Sequence, residues 1–276
     1  MGRQQKSAPD LRDAFEALFT AVEGGGHDIV LQHAFDAEAI DEAPQMPTLH
    51  VLHLPPIIPT VVGAARVARA PLAAVSQASS RDWAAEGVRI RFVLPNGVPD
   101  PGARARRVEP AALIAGRISP EKGTATAIRT ALAAGLEPWV AGDPYDREYF
   151  DSAVRPLLAR SRYFGAIPRS ALAHLMRRAT VTIMPVTWSE PFGLVAAEAQ
   201  MTGCPVVAYR RGALPEVIED GTSGLLVDPD DERQLVEAVM AAGRLDRRAV
   251  RSSAMRRLGI GSMLDGYEAA MMSVAG

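Results

Sequence analysis

The chain has 276 residues, 48% hydrophobic and 22% charged, with a formal net charge of −2. That length holds two modest domains with a sizeable core, and the near-neutral balance gives no electrostatic reason for a nucleic-acid partner. A single cysteine, Cys204, excludes an internal disulfide and fits a reducing compartment. No apolar run reaches the roughly 18–20 residues of a membrane span. The start, Met1-Gly2-Arg3-Gln4-Gln5-Lys6-Ser7, lacks both the apolar core of a signal peptide and the myristoylation spacing, so the expected location is cytoplasmic.

In chain order, Leu11, Phe15, Leu18, Phe19 and Val22 fall at helical spacing, with Asp10 as N-cap and Gly24-Gly25-Gly26 as stop. Asp28–Leu31, Thr48–Leu52, Pro71–Val75 and Ile90–Leu94 then read as strands, with helices near 36–43, 59–69 and 79–86 between them. Residues 95–110 hold four prolines and two glycines without apolar periodicity and read as a linker. Beyond it, strands are expected at Ala111–Ala115, Pro138–Ala141, Arg162–Ala166, Val181–Pro185, Pro205–Ala208 and Gly224–Val227. Helices are expected near 121–134, 146–160, 168–179, 193–202, 213–219, 230–243, 246–257 and 262–273. Strand, helix, strand at this rhythm predicts parallel sheets covered by helices, in two α/β domains joined near residue 100.

Four of five histidines, His27, His33, His50 and His53, crowd into 27 residues without a zinc-like spacing. His33 and His53 each end a predicted strand and are candidates to face a cleft, with strand-end caps as the alternative. His27 and His50 read as structural. After the strand Ala111–Ala115 comes Gly116-Arg117-Ile118-Ser119-Pro120-Glu121-Lys122-Gly123. Arg117 and Lys122 therefore sit at the carboxyl end of a parallel strand, where ligands bind in open α/β sheets. Of 30 basic residues only Lys6 and Lys122 are lysine. Two cations there suit a diphosphate, against the plainer reading of solvated loop residues.

Ser189-Glu190-Pro191-Phe192-Gly193-Leu194-Val195-Ala196-Ala197-Glu198 puts one carboxylate in a loop and another inside the following helix. The N–H groups of Gly193, Leu194 and Val195 would point out of the helix start, which favours phosphate. The helix is apolar nearly all round, so Glu198 must find partners, and ribose hydroxyls would supply them. Asp228-Pro229-Asp230 has an Asp-x-Asp pattern, but its place between strand and helix makes Asp230 an N-cap. No metal site is expected. The arginines from Arg244 to Arg257 read as solvated helix faces, and Cys204 as packing.

These residues resemble the retaining glycosyltransferases of family 4, whose E-x7-E motif corresponds to Glu190 and Glu198 and whose fold is the two-domain GT-B type. Pro95-Asn96-Gly97-Val98, Gly116 to Gly123, Tyr163-Phe164-Gly165-Ala166, Gly203 to Ala208, Gly212 to Val217 and Asp220 to Val227 also look like family segments. The resemblance spans roughly residues 27–273. It implies two Rossmann-like domains: 1–100, with 258–276 packing back on it, on the acceptor side, and 101–257 binding the donor. Arg117 and Lys122 would neutralise the diphosphate of a UDP- or GDP-sugar, and Glu190 with Phe192, Gly193 and Leu194 would grip the sugar. Glu198 would hold the ribose, and Gly165 and Ala166 would meet the base. His53 would face the transferred sugar or acceptor, and His33 would line the cleft.

The reaction implied is metal-independent sugar transfer with retention to an unidentified acceptor hydroxyl. No cofactor is needed beyond the nucleotide-sugar co-substrate, and the reading leaves room for a homo-oligomer. Relative to the family, the N-terminal domain is expected to be incomplete, lacking the first strand and glycine-rich loop. The rival readings are a nucleotide-sugar-binding protein without transferase activity, and another GT-B enzyme such as an epimerase or phosphorylase. A nicotinamide-dependent dehydrogenase does not fit, because no Gly-x-Gly-x-x-Gly follows a strand.

Overall fold

The computed structural model describes residues 8–102 and 107–276. The readings at the N-terminus up to Ser7, and the linker positions 103–106, lie outside the described residues. The chain forms two compact units, one running to Pro95 and including Met263–Gly276, the other Asn96–Ser262.

The first unit begins with α1 (Ala8–Glu23), so Asp10 is inside the helix rather than capping it. It continues with β1 (Val30–Gln32), α2 (Ala37–Asp41), β2 (Thr48–Leu52), α3 (Pro59–Arg66), β3 (Leu72–Ala74), α4 (Gln77–Ala85) and β4 (Ile90–Val93). The four strands pair in sequence order and all run parallel. Pro59 opens α3, where a missing N–H costs nothing, and Ser76 caps α4 by accepting from the Ser79 N–H at 2.9 Å. Every residue of β2 is buried, as befits a strand covered on both faces. Beneath it Trp83 is fully enclosed among Leu52, Val61, Val62 and Leu72, and its indole N–H donates to the Leu54 carbonyl at 3.1 Å. A buried tryptophan needs such an acceptor, and its large apolar surface makes it a main anchor of this core.

The second unit holds β5 (Glu109–Ala115), α5 (Thr124–Ala133), β6 (Glu137–Ala141), α6 (Arg147–Tyr149), β7 (Arg162–Gly165), α7 (Arg169–Arg178), β8 (Ala179–Met184) and α8 (Leu194–Met201). Then come β9 (Val206–Tyr209), α9 (Leu214–Val217), β10 (Gly224–Val227), α10 (Glu232–Ala242), α11 (Arg247–Arg257) and α12 (Ile260–Ala275), the last of which belongs to the first unit from Met263 on. The strands lie in the order β10-β9-β8-β5-β6-β7, all parallel. This is the doubly wound arrangement, and its strand order reverses between β5 and β8. No helix among the described residues is long and apolar enough to cross a membrane.

Three further sequence expectations change here. The segment 146–160 is not one α-helix. It passes from α6 into a π turn over Phe150–Val154 and a 3-10 turn over Arg155–Arg160, where Pro156 removes an amide donor and crowds the preceding turn. The proline-rich stretch is not a free linker throughout. The Val98 N–H bonds the Leu258 carbonyl at 2.8 Å, and both Asp100 carboxylate oxygens take bonds from Arg251 at 2.7 and 2.8 Å. The arginines from 244 to 257 are not all solvated. Arg247 caps the carbonyls of Arg177 and Ala179 at 2.9 Å, Arg251 also reaches the Met201 carbonyl, and Arg257 bonds the Glu216 carbonyl at 2.5 Å.

Candidate functional site

In the second unit three loops leave the carboxyl edge of the sheet, after β5, β8 and β9, and they are fastened to one another by main-chain bonds. The Thr187 N–H donates to the Glu121 carbonyl at 2.9 Å, joining the loops after β5 and β8. The Ala213 N–H donates to the Glu190 carbonyl at 2.8 Å, joining those after β8 and β9. Arg211 adds a bond to the Thr187 carbonyl at 2.7 Å and pairs with Asp230. β5 and β8 flank the point where strand order reverses, which is where ligands ordinarily bind in open α/β sheets.

Lys122 and Glu190, 68 residues apart, meet at that point. The Lys122 ammonium donates to Glu190 Oε2 at 2.7 Å, and the Trp188 indole N–H donates to the same oxygen at 2.7 Å. The ammonium also lies 4.5 Å from the centre of the Trp188 ring, where the ring's negative face attracts it. Glu190 is 8% exposed, so this carboxylate is a buried charge held by two donors rather than a solvated one. Trp188 carries no family-like spacing. Its signal in the sequence is only that a tryptophan, one of three, stands two residues from Glu190.

Arg117 stands on the exposed rim, stacked on Tyr145 at 4.7 Å and 3.9 Å from Glu121. Glu121 is in turn fixed by the Ser119 hydroxyl at 2.6 Å. Gly193 precedes α8 with φ 96°, a left-handed backbone that favours glycine. A Cβ there would meet only the movable end of the Leu214 side chain at 2.8 Å, so it is the backbone conformation that favours glycine. Phe192 is buried, while Leu194 and Val195 open the helix with N–H groups that have no partner within it.

Glu198 lies one turn further along α8, partly buried, 3.8 Å from the exposed Arg169. Burial pushes its carboxyl above the usual range, and Arg169 only partly opposes this. A desolvated carboxylate of this kind is a strong acceptor for a ligand hydroxyl. Gly165 ends β7 and Ala166 follows it, and the Gly165 carbonyl takes a bond from the Gly142 N–H at 2.8 Å. Arg117, Lys122, Glu190, Phe192, Gly193, Leu194, Val195, Glu198, Gly165 and Ala166 thus all belong to the carboxyl-end side of one sheet.

His33 and His53 belong to the first unit, just past β1 and β2, and they bond each other, Nδ1 to Nε2, at 2.8 Å. Burial lowers both pKa values, and the neighbouring His33 lowers that of His53 further. His50, inside β2, is fully buried and bonds the Ala34 carbonyl at 3.0 Å, which leaves its Nδ1 without a partner. Its pKa falls to about 4, chiefly from burial. Asp230 is not the cap of α10. Asp231 is, accepting from the Gln234 N–H at 2.8 Å, while Asp230 has φ 64° and pairs with Arg211. Among the described residues no three His, Cys, Asp or Glu side chains gather as a metal site would require.

A family model described as glycosyl transferases group 1 matches residues 104–252. The chain is 36% identical over 202 residues to a D-inositol 3-phosphate glycosyltransferase of Acidothermus cellulolyticus, covering 63% of this chain and 44% of that protein. It is 44% identical over 95 residues to the protein of the same name from Thermobifida fusca, covering 34% of this chain and 20% of the relative. The match therefore spans less than half the length of either relative. Among solved structures, Anabaena Alr3699/HepE in complex with UDP and glucose is similar with a TM-score of 0.82 and 18% identity, over 97% of this chain and 83% of that one. The likeness places the two Rossmann-like sheets in the GT-B class of fold.

Proposed function

Because the chain belongs to the family of glycosyl transferases group 1, we propose that it moves a sugar from a nucleotide-sugar donor to an acceptor hydroxyl with retention and without a metal. The observation that carries this reading is the convergence of Lys122 and Glu190 on the switch point of the second unit's sheet. The donor's diphosphate would lie between Arg117, Lys122 and the opening N–H groups of α8, which together meet the charge that grows on the leaving phosphate. Lys122 would then turn from Glu190 toward phosphate, and Glu190 would accept from the sugar's hydroxyls. Glu198 would take the ribose hydroxyls, and Gly165 with Ala166 would border the base. UDP-glucose in Alr3699/HepE makes a UDP-sugar the first donor to try, with GDP-sugars next. His53, paired with His33, is the candidate for contact with the transferred sugar or the acceptor.

Replacing Lys122 by Ala is expected to lower kcat at least 10²-fold and to weaken UDP or GDP binding measured by calorimetry. This corresponds to losing roughly 3 kcal/mol of transition-state stabilisation. Unchanged kinetics and binding would exclude Lys122 from the donor site. Product analysis with a labelled donor separates transfer from epimerisation. Binding without any turnover would identify a binding-only relative.

A further inference from the structure

At the opposite, amino-terminal edge of the first unit's sheet lies a concavity of about 340 Å³ that serves none of the roles above. Four arginines line it: Arg66 at the end of α3, Arg69 in the turn after it, Arg89 just before β4 and Arg91 within β4. The rest of its wall is alanine, Pro71 and Leu72, with no acidic side chain. Arg66 is partly answered by Glu86 at 3.1 Å, and Arg91 reaches the Ser273 hydroxyl and carbonyl at 3.4 and 3.5 Å and lies 5.0 Å from the Phe92 ring centre. Among the described residues, Arg69 and Arg89 have no carboxylate within ion-pair distance, although both are exposed. Glu16, Glu23, Asp41 and Glu42 line a neighbouring hollow that shares Arg69, and not this one.

Guanidinium groups gathered around one hollow repel one another, and the short apolar wall offers a neutral polar ligand little to bond. A tetrahedral oxyanion answers both features, because each guanidinium presents a planar fork of donors that fits two phosphate oxygens. We propose that this concavity is a second anion site, taking a phosphate-class group, on the side of the sheet away from the strand ends where α/β ligands ordinarily sit. The phosphate can come from a free phosphorylated molecule or from a lipid headgroup, and the test separates these sources.

The full chain carrying Lys122→Ala, which silences the diphosphate candidate of the second unit, is titrated with inorganic pyrophosphate by calorimetry. In parallel it is sedimented with phosphatidylcholine vesicles with and without about one third phosphatidylglycerol. Binding to pyrophosphate, or to the anionic vesicles alone, that falls at least tenfold on adding Arg69→Gln and Arg89→Gln supports the site and names the source. A control pair with the same loss of charge, Arg244→Gln and Arg248→Gln in the second unit, should leave that binding within twofold. Melting temperatures confirm that all variants are folded. Failure of both probes to bind, or an equal fall in the control pair, overturns the proposal.

Discussion

Glu190 owes its position to its main chain as much as to its carboxylate. Gly212, with φ 54°, passes so close that a Cβ there would stand 2.3 Å from the Glu190 nitrogen and 2.4 Å from its carbonyl oxygen. A side chain at 212 must therefore both adopt a left-handed backbone and push the Glu190 peptide aside. Gly212→Ala is expected to destabilise the second unit by about 1–3 kcal/mol or more in urea unfolding. It should also weaken nucleoside-diphosphate binding, since the carboxylate moves with its backbone. A variant of wild-type stability would mean that the loop after β9 does not hold Glu190. The sequence reading could place Glu190 in a loop and Glu198 in a buried helix, because both follow from local pattern. It could not show that Lys122 and Glu190 touch across 68 residues, or that Trp188 serves both of them. Those facts depend on which strands lie side by side, and local spacing carries no such information.

Among the elements, the strands were the most legible, because a parallel strand buried on both faces reads as an apolar run with little ambiguity. Thr48–Leu52 and Gly224–Val227 are found with the bounds the pattern predicts. Legibility failed where one residue decides between near-equal alternatives, as with Asp231 over Asp230 at the start of α10, or Pro156 breaking the helix expected over 146–160. It failed again on α11, where arginines that look like solvent-facing charge act as clamps. Arg251, beside Asp100, holds that carboxyl below the usual carboxylate range, with the Gly102 N–H assisting. A depressed carboxylate contributes stability above its unfolded pKa of 3.8 and loses it as pH falls through the lower folded value. Asp100→Asn should therefore lower the unfolding midpoint slightly at pH 7, by no more than about 1 kcal/mol for so exposed a pair. The difference should vanish in strong acid. Guanidinium melts followed by the fluorescence of Trp139 and Trp188 would show this convergence, and a constant offset at all pH values would contradict it.

At the level of the molecule, the two units differ in how they meet acid. The depressed histidines, His33, His50 and His53, all belong to the first unit, whereas the depressed carboxylate Asp100 belongs to the second. A histidine whose folded pKa is lowered stabilises the protein above its unfolded value of 6.5 and withdraws that support as pH falls toward the folded value, about 4 for His50. Hydrogen exchange is expected to show amide protection in β2 and β3 declining between pH 6.5 and 4 while β5 and β8 stay protected. Simultaneous loss in both sheets would refute this order. The doubly wound sheet also has a consequence for how the molecule is made. Its central pair, β5 and β8, is separated in the chain by the whole of β6 and β7, so a nascent polypeptide must wait for the later strand before the earlier one gains its neighbour on that side. Until then Lys122 has emerged without its counter-ion. The charge centre is therefore a late product of vectorial synthesis, and chains arrested before Glu190 can carry Arg117 and Lys122 yet cannot form the ion pair.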